Sequence, residues 1–185
     1  MSTQPLEAAI ASTRSVLAGV TADQLDLDSP CREWKVRDVV NHIVGGQYFF
    51  ASALKGEAPG GDAPDFASGD FVAAFDEGAR QCVAGFQADG AMEKIVSLPF
   101  GDMPGAAVAG LATVDTFTHG WDVAKATGQD TDLDPPLAAQ LLEQSKMMIQ
   151  PAFRDEEGHV FGPEQQASDD APDADKLAAF LGRTV

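Results

Sequence analysis

The chain has 185 residues and a formal net charge of −17, from 29 acidic against 12 basic residues, with 44% hydrophobic and 22% charged content. That length suits one well-buried domain with a trailing segment, and the excess acid, with no cluster of Lys and Arg, would repel nucleic acid and anionic lipid alike. No apolar run approaches the roughly 20 residues that span a bilayer and Met1 to Glu7 lacks a basic-then-apolar leader, so a cytoplasmic protein without membrane or nucleic-acid partners is expected.

Helix one is expected to open at Pro5, with Ser2 or Thr3 as cap, and to align Leu6, Ile10, Val16 or Leu17 and Val20 on one side. Asp26 to Cys31 reads as a loop closed by Pro30. Helix two should begin near Trp34 or Lys35, with Asp38 in its first turn, carry Val36, Val39, Val40, Ile43, Phe50 and Leu54, and end around Gly56. Residues 57–70 are rich in Gly, Pro and Asp and read as a loop. Helix three follows, with Phe71, Phe75, Ala79, Cys82, Val83 and Phe86 facing inward, and stops near Gly90.

The alternation in Lys94 to Gly101 contains Pro99, so this stretch is at best one short edge strand. Helix four runs from just after Pro104-Gly105 to Thr127, with Gly128 in the position where helices commonly terminate. Asp134-Pro135-Pro136 supplies a cap and a first-turn proline for helix five, whose Leu137, Leu141, Leu142, Met148 and Ile149 point inward until Pro151. A polar stretch then leads to a short closing helix over Pro172 to Leu181. The pattern predicts an all-α fold: a helical bundle over residues 1–150, with 151–185 a C-terminal extension packing on it.

Two stretches carry chemistry. Asp115 and His119 are four residues apart, so on a helix they share a face one turn apart, and His42 in Asn41-His42-Ile43-Val44-Gly45-Gly46 could supply a third ligand. Two imidazoles and a carboxylate leave a coordination position open, which suits a catalytic rather than a structural metal. The competing reading is a plain Asp–His salt bridge or a solvated edge. Gly45 and Gly46 within a helix are unfavourable by about 1 kcal/mol each relative to Ala; they clear space beside His42 or permit a close helix crossing. Asp122, near His119, could orient a metal-bound water, and His159 reads as a surface loop residue.

Cys31 and Cys82 are too few and too isolated for a disulfide framework or a Cys-rich zinc site, and read as reduced thiols. Cys31, just before helix two, could have its thiol pKa lowered by the helix N-terminus. There is no phosphate-binding Gly-Lys-Ser/Thr loop, no Gly-x-Ser-x-Gly elbow and no His-Glu-x-x-His.

Ser29 to His42 with Gly45-Gly46, then Asp115 to Ala124 with Ala126-Thr127-Gly128, resemble the actinobacterial metal-binding proteins of the DinB-like superfamily. The mycothiol-dependent maleylpyruvate isomerase N-terminal domain is the most similar type. The likeness continues into Phe161-Gly162-Pro163-Glu164 and Leu177 to Arg183. It implies a four-helix bundle with a long crossover and a divalent metal, usually zinc, with nickel or manganese as alternatives, at His42, Asp115 and His119. It also implies that a low-molecular-weight thiol such as mycothiol occupies the open position for S-transfer to, or isomerisation of, a small electrophile. The remaining alternatives are a hydrolase using metal-bound water and a non-catalytic metal- or ligand-binding bundle, either one a monomer or homodimer.

Overall fold

The computed structural model describes residues 2–57, 64–154 and 161–185. Helix α1 spans Gln4–Ala18, and the Ser2 hydroxyl accepts the Gln4 N–H at 3.2 Å. Leu6, Ala9, Thr13, Val16 and Leu17 form its buried side, while Val20 lies beyond the helix end. Helix α2, Val36–Lys55, starts without the Ser or Thr that commonly opens a helix. The Asp38 carboxylate takes that role by accepting the Lys35 N–H at 2.8 Å. Val36, Val39, Val40, Ile43, Val44, Gln47, Phe50, Ala51, Ala53 and Leu54 are buried along it, at helical spacing.

Helix α3, Phe71–Gln87, is opened by the Asp70 carboxylate, which accepts the Ala73 N–H at 3.0 Å. It buries Phe75, Gly78, Ala79, Cys82 and Phe86, whereas Phe71 and Val83 stay half-buried. The chain then departs from an all-α fold. Strands β1, Ile95–Leu98, and β2, Gly101–Pro104, form an antiparallel hairpin with Leu98 opposite Gly101 and Ile95 opposite Pro104. The single edge strand expected here finds its partner immediately across the Pro99-Phe100 turn. Val96 and Leu98 gain burial on the apolar side, and Gly101 takes the positive φ, 132°, that such a reversal demands.

Helix α4, Gly105–Thr127, is the longest and its middle is almost wholly buried, from Thr116 to Ala124. It packs against α1 and α2, and α2 packs in turn against α3. At the α1–α4 crossing a Cβ on Gly120 would collide with the Thr13 side chain, and Thr13 donates its hydroxyl to Thr116 O at 2.9 Å. Gln47 of α2 donates to the Thr116 hydroxyl at 2.8 Å, so one residue of α4 is tied to two neighbouring helices. Helix α5, Pro135–Met148, is opened by Asp134, whose carboxylate accepts the Leu137 N–H at 3.2 Å.

Helix α6, Asp173–Phe180, packs on α5 and on α4. Its Leu177 and Ala178, with Leu181 just past its end, join Phe117, Trp121, Leu137 and Leu141 in one apolar cluster. The described residues therefore make a mostly helical fold of six helices and one small hairpin. Among them no helix is long and apolar enough to cross a membrane.

Candidate metal centre

The site lies where α2 faces α4. One turn of α4 places Asp115 and His119 on the same side, and His42 of α2 comes to meet them. His42 Nε2 is 3.1 Å from Asp115 Oδ1, and His119 Nε2 is 3.6 Å from the same oxygen. The two imidazole centroids are 4.5 Å apart. One donor atom from each of His42, Asp115 and His119 lies within 4.8 Å of the other two. Those are the three residues that spacing and resemblance singled out.

The cluster is partly open to solvent. The side chains of His42 and Asp115 are 37% and 24% exposed, whereas that of His119 is 11% exposed. Burial pushes the Asp115 carboxyl up, but the His42 hydrogen bond and the charges of His119, His42 and Arg183 outweigh it, so its pKa ends below the ordinary value. Burial pushes His42 down; the hydrogen bond and charge of Asp115 reverse this and leave its pKa raised. A hard–borderline set of two imidazoles and a carboxylate, held this close and partly exposed, fits a divalent ion such as zinc.

Gly46 faces this carboxylate. A Cβ there would stand 3.7 Å from Asp115 Oδ2, and one on Gly45 would stand 3.8 Å from Phe66. Both are ordinary contact distances, so neither glycine is imposed by a close helix crossing; Gly120 against α1 and Gly78 against α2 are glycines that fill that role.

His119 is fixed from behind. Its Nδ1 lies 2.9 Å from Asp122 Oδ2, and Asp122, fully buried, is gripped by Arg183 through Nε to Oδ1 at 3.2 Å and Nη2 to Oδ2 at 3.1 Å. Burial would raise the Asp122 pKa, but the His119 hydrogen bond and the Arg183 charge hold it below the usual carboxylate range. An ionised carboxylate only accepts, so Nδ1 carries a proton and the other ring nitrogen, Nε2, is the one turned toward Asp115, 3.6 Å from its Oδ1. This corrects the role expected for Asp122: both its oxygens are engaged inside the protein, so it does not orient a water.

The loop before α2 covers the site. Ser29 Oγ donates to Trp34 O at 2.9 Å and accepts the Cys31 N–H at 3.2 Å, and Glu33 adopts a left-handed φ of 65°. The loop brings the Trp34 ring against both imidazoles, 5.0 Å from His42 and 5.8 Å from His119 between centroids. It also carries Cys31 to within ligand spacing of His119 and Asp122. The lowered thiol pKa expected for Cys31 does not materialise: burial and the negative charges of Asp122 and Asp115 push it up to about 11, against an opposing pull from Arg183. His159 lies outside the described residues.

Sequence reasoning missed Arg183, which stands far along the chain from every ligand, and the covering role of Trp34. The Trp could have been suspected from its place just ahead of the His42 helix. Nothing in the local pattern around Arg183 announces a partner in α4.

Comparison with known proteins places the chain in a family. The family model described as "Mycothiol maleylpyruvate isomerase N-terminal domain" matches residues 6–124, a stretch that includes all three clustered residues. Two proteins of Mycobacterium tuberculosis, both described as uncharacterized, one from strain CDC 1551 / Oshkosh and one from strain H37Rv, are each 42% identical over 175 residues, covering 92% of this chain and 91% of the relative. No solved structure matches significantly. The chain thus belongs to the mycothiol maleylpyruvate isomerase N-terminal domain family, of DinB-like type.

Proposed function

We propose that this protein holds a divalent metal, zinc in the first instance, at His42, Asp115 and His119, and uses a low-molecular-weight thiol of the mycothiol kind in S-transfer or isomerisation of a small electrophile. The observation that carries the reading is the convergence of these three side chains within 4.8 Å in a partly exposed cluster, with the ring of His119 braced by a buried carboxylate. The four longest helices, α1 to α4, would then form the four-helix bundle expected of this family.

When bound at such donors, a divalent ion supplies positive charge that favours thiolate over thiol. The residues of the chain do the rest. Asp122 keeps the His119 Nδ1 proton in place, so that Nε2 stays available as a donor. Asp115 contributes the one negative charge among the three ligands, and Trp34 walls off one side of both imidazoles, restricting the approach of solvent and substrate. Cys31, held protonated by its surroundings, does not compete as a nucleophile.

The family's description names mycothiol and maleylpyruvate; for this chain the thiol is proposed and the substrate is a small electrophile of unspecified identity. The test is thiol consumption with added mycothiol across a panel of electrophiles, compared with His119→Ala. Turnover above that background supports the reading. Product formation without any thiol would favour a metal-water hydrolase, and no turnover either way would leave a non-catalytic metal-binding bundle.

A further inference from the structure

The family match ends at residue 124, yet the geometry around His119 is completed by residue 183. Three observations converge on this. Asp122 is fully buried, and an ionised carboxylate in that position is strongly unfavourable without a cation to match it. Its cation is Arg183, which closes a two-pronged fork on both carboxylate oxygens and donates Nη1 to Leu181 O at 3.2 Å, so the guanidinium is steadied by its own turn as well.

That turn is built to a narrow specification. Gly182 has φ 95°, and a Cβ there would meet the backbone N and Cα of Gly162, each at 2.9 Å. The Arg183 N–H is accepted by Ala178 O at 2.9 Å, which folds the chain back over α6. A separate contact docks α6 itself: Trp121 donates its indole N–H to Asp175 at 2.7 Å.

We propose that Arg183 is a positioning residue for His119, acting through Asp122, and that the C-terminal turn is thereby part of the metal centre rather than an appendage to it. Fixing the Asp122 carboxylate in one orientation fixes which nitrogen of His119 carries the proton, and so which nitrogen faces His42 and Asp115. The fork orientation is what matters: a lysine at 183 would keep the charge and lose the two-point grip. Here the Nε–Nη2 edge of the arginine is committed to Asp122 and is not presented to a substrate.

This inference rests on the metal reading above, and its test separates the two. The full-length wild type, Arg183→Ala, Arg183→Lys and Asp175→Asn are compared in apparent zinc affinity, by competition with a chromophoric chelator, and in the His119 tautomer of the metal-free protein, by long-range 15N NMR. Arg183→Ala is expected to weaken zinc binding by about 10- to 100-fold, the range found when partners behind a metal-bound histidine are removed. The same variant should convert a single Nδ1–H tautomer into a mixture.

Arg183→Lys should fall between it and wild type. Asp175→Asn, which weakens the Trp121–Asp175 contact without touching the fork, should keep the wild-type affinity and tautomer. Wild-type behaviour of Arg183→Ala in both readouts overturns the proposal, as does an equal loss in Asp175→Asn, which would reduce Arg183 to a docking contact. Failure of the wild type to take up zinc would sink the metal reading alone, since the tautomer comparison still decides the role of Arg183.

Discussion

Trp121 and Asp122 are neighbours on α4, are buried almost equally at 1% and 0% exposure, and each makes a hydrogen bond to the closing segment, to Asp175 and Arg183 respectively. Trp121 belongs to the stripe with Phe117 that burial itself stabilises, whereas Asp122 belongs to the stripe with Asp115 and His119 that is buried against its own solvation. The apolar stripe holds the helix in the protein, and the polar stripe carries two of the three residues proposed above to hold the metal. A stripe of the second kind is stable only while every charge has its partner.

The largest effects should separate these two kinds of burial. Trp121→Ala and Asp122→Ala are each expected to destabilise by about 3–5 kcal/mol in chemical denaturation, the first by leaving a cavity and the second by leaving Arg183 buried without its anion. The origins are told apart by repair. Asp122→Leu combined with Arg183→Met should recover most of the lost stability while zinc binding stays impaired; a double variant as unstable as Asp122→Ala would mean that the pair is needed for folding.

Next in size come the glycines of the two helix contacts. Gly120→Ala drives a Cβ into Thr13 at the α1–α4 crossing and should be destabilising by about 1–3 kcal/mol. Gly46→Ala meets only Asp115 Oδ2 at ordinary contact distance, so the gain in helix propensity should raise thermal stability of the metal-free protein by up to about 1 kcal/mol. Equal losses at both positions would show that the site side of α2 is packed as tightly as the α1 crossing.

Of the two stripes, acid should act on the polar one. The Asp122 pKa is lowered on folding, so its contribution to stability is present above its ordinary value of 3.8 and is lost as pH falls through the lower folded value. His42 has the opposite sign: its raised pKa contributes below 6.5, and that contribution fades as pH rises through the higher folded value. Denaturation midpoints measured against pH should therefore drop steeply at the acid end in wild type and less steeply in Asp122→Asn.

The smallest expected signal is thiol reactivity. With Cys31 pushed up to about 11 and Cys82, fully buried, up to about 12, both should alkylate slowly at pH 8 in the native protein, Cys31 the faster of the two. Rapid single-site labelling of Cys31 would mean that the loop carrying Trp34 opens far more often than its hydrogen bonds suggest.

Much of this was readable in advance, and the parts that were not share a cause. Helix limits followed from local signals such as Asp70, Asp134, Gly56 and Gly128, and the pairing of Asp115 with His119 from helical spacing, because in each case the partners lie within a turn. The β1–β2 hairpin was half seen, since Gly101 to Pro104 shows no strand pattern of its own and becomes a strand only by pairing with Ile95 to Leu98. Cys31 was misjudged because a helix N-terminus is visible in sequence, while two buried carboxylates from α4 are not. Arg183 could not be read at all: its partner is 61 positions away.

The central claim is that His42, Asp115 and His119 hold a divalent ion, and the most direct measurement is metal content by plasma mass spectrometry on untagged protein. Wild type is compared with His42→Ala, Asp115→Ala and His119→Ala. A near-stoichiometric ion in wild type, lost in all three variants, is the predicted result. Wild type that carries no metal and cannot be reloaded with zinc, nickel or manganese, or variants that keep a full complement, would contradict it.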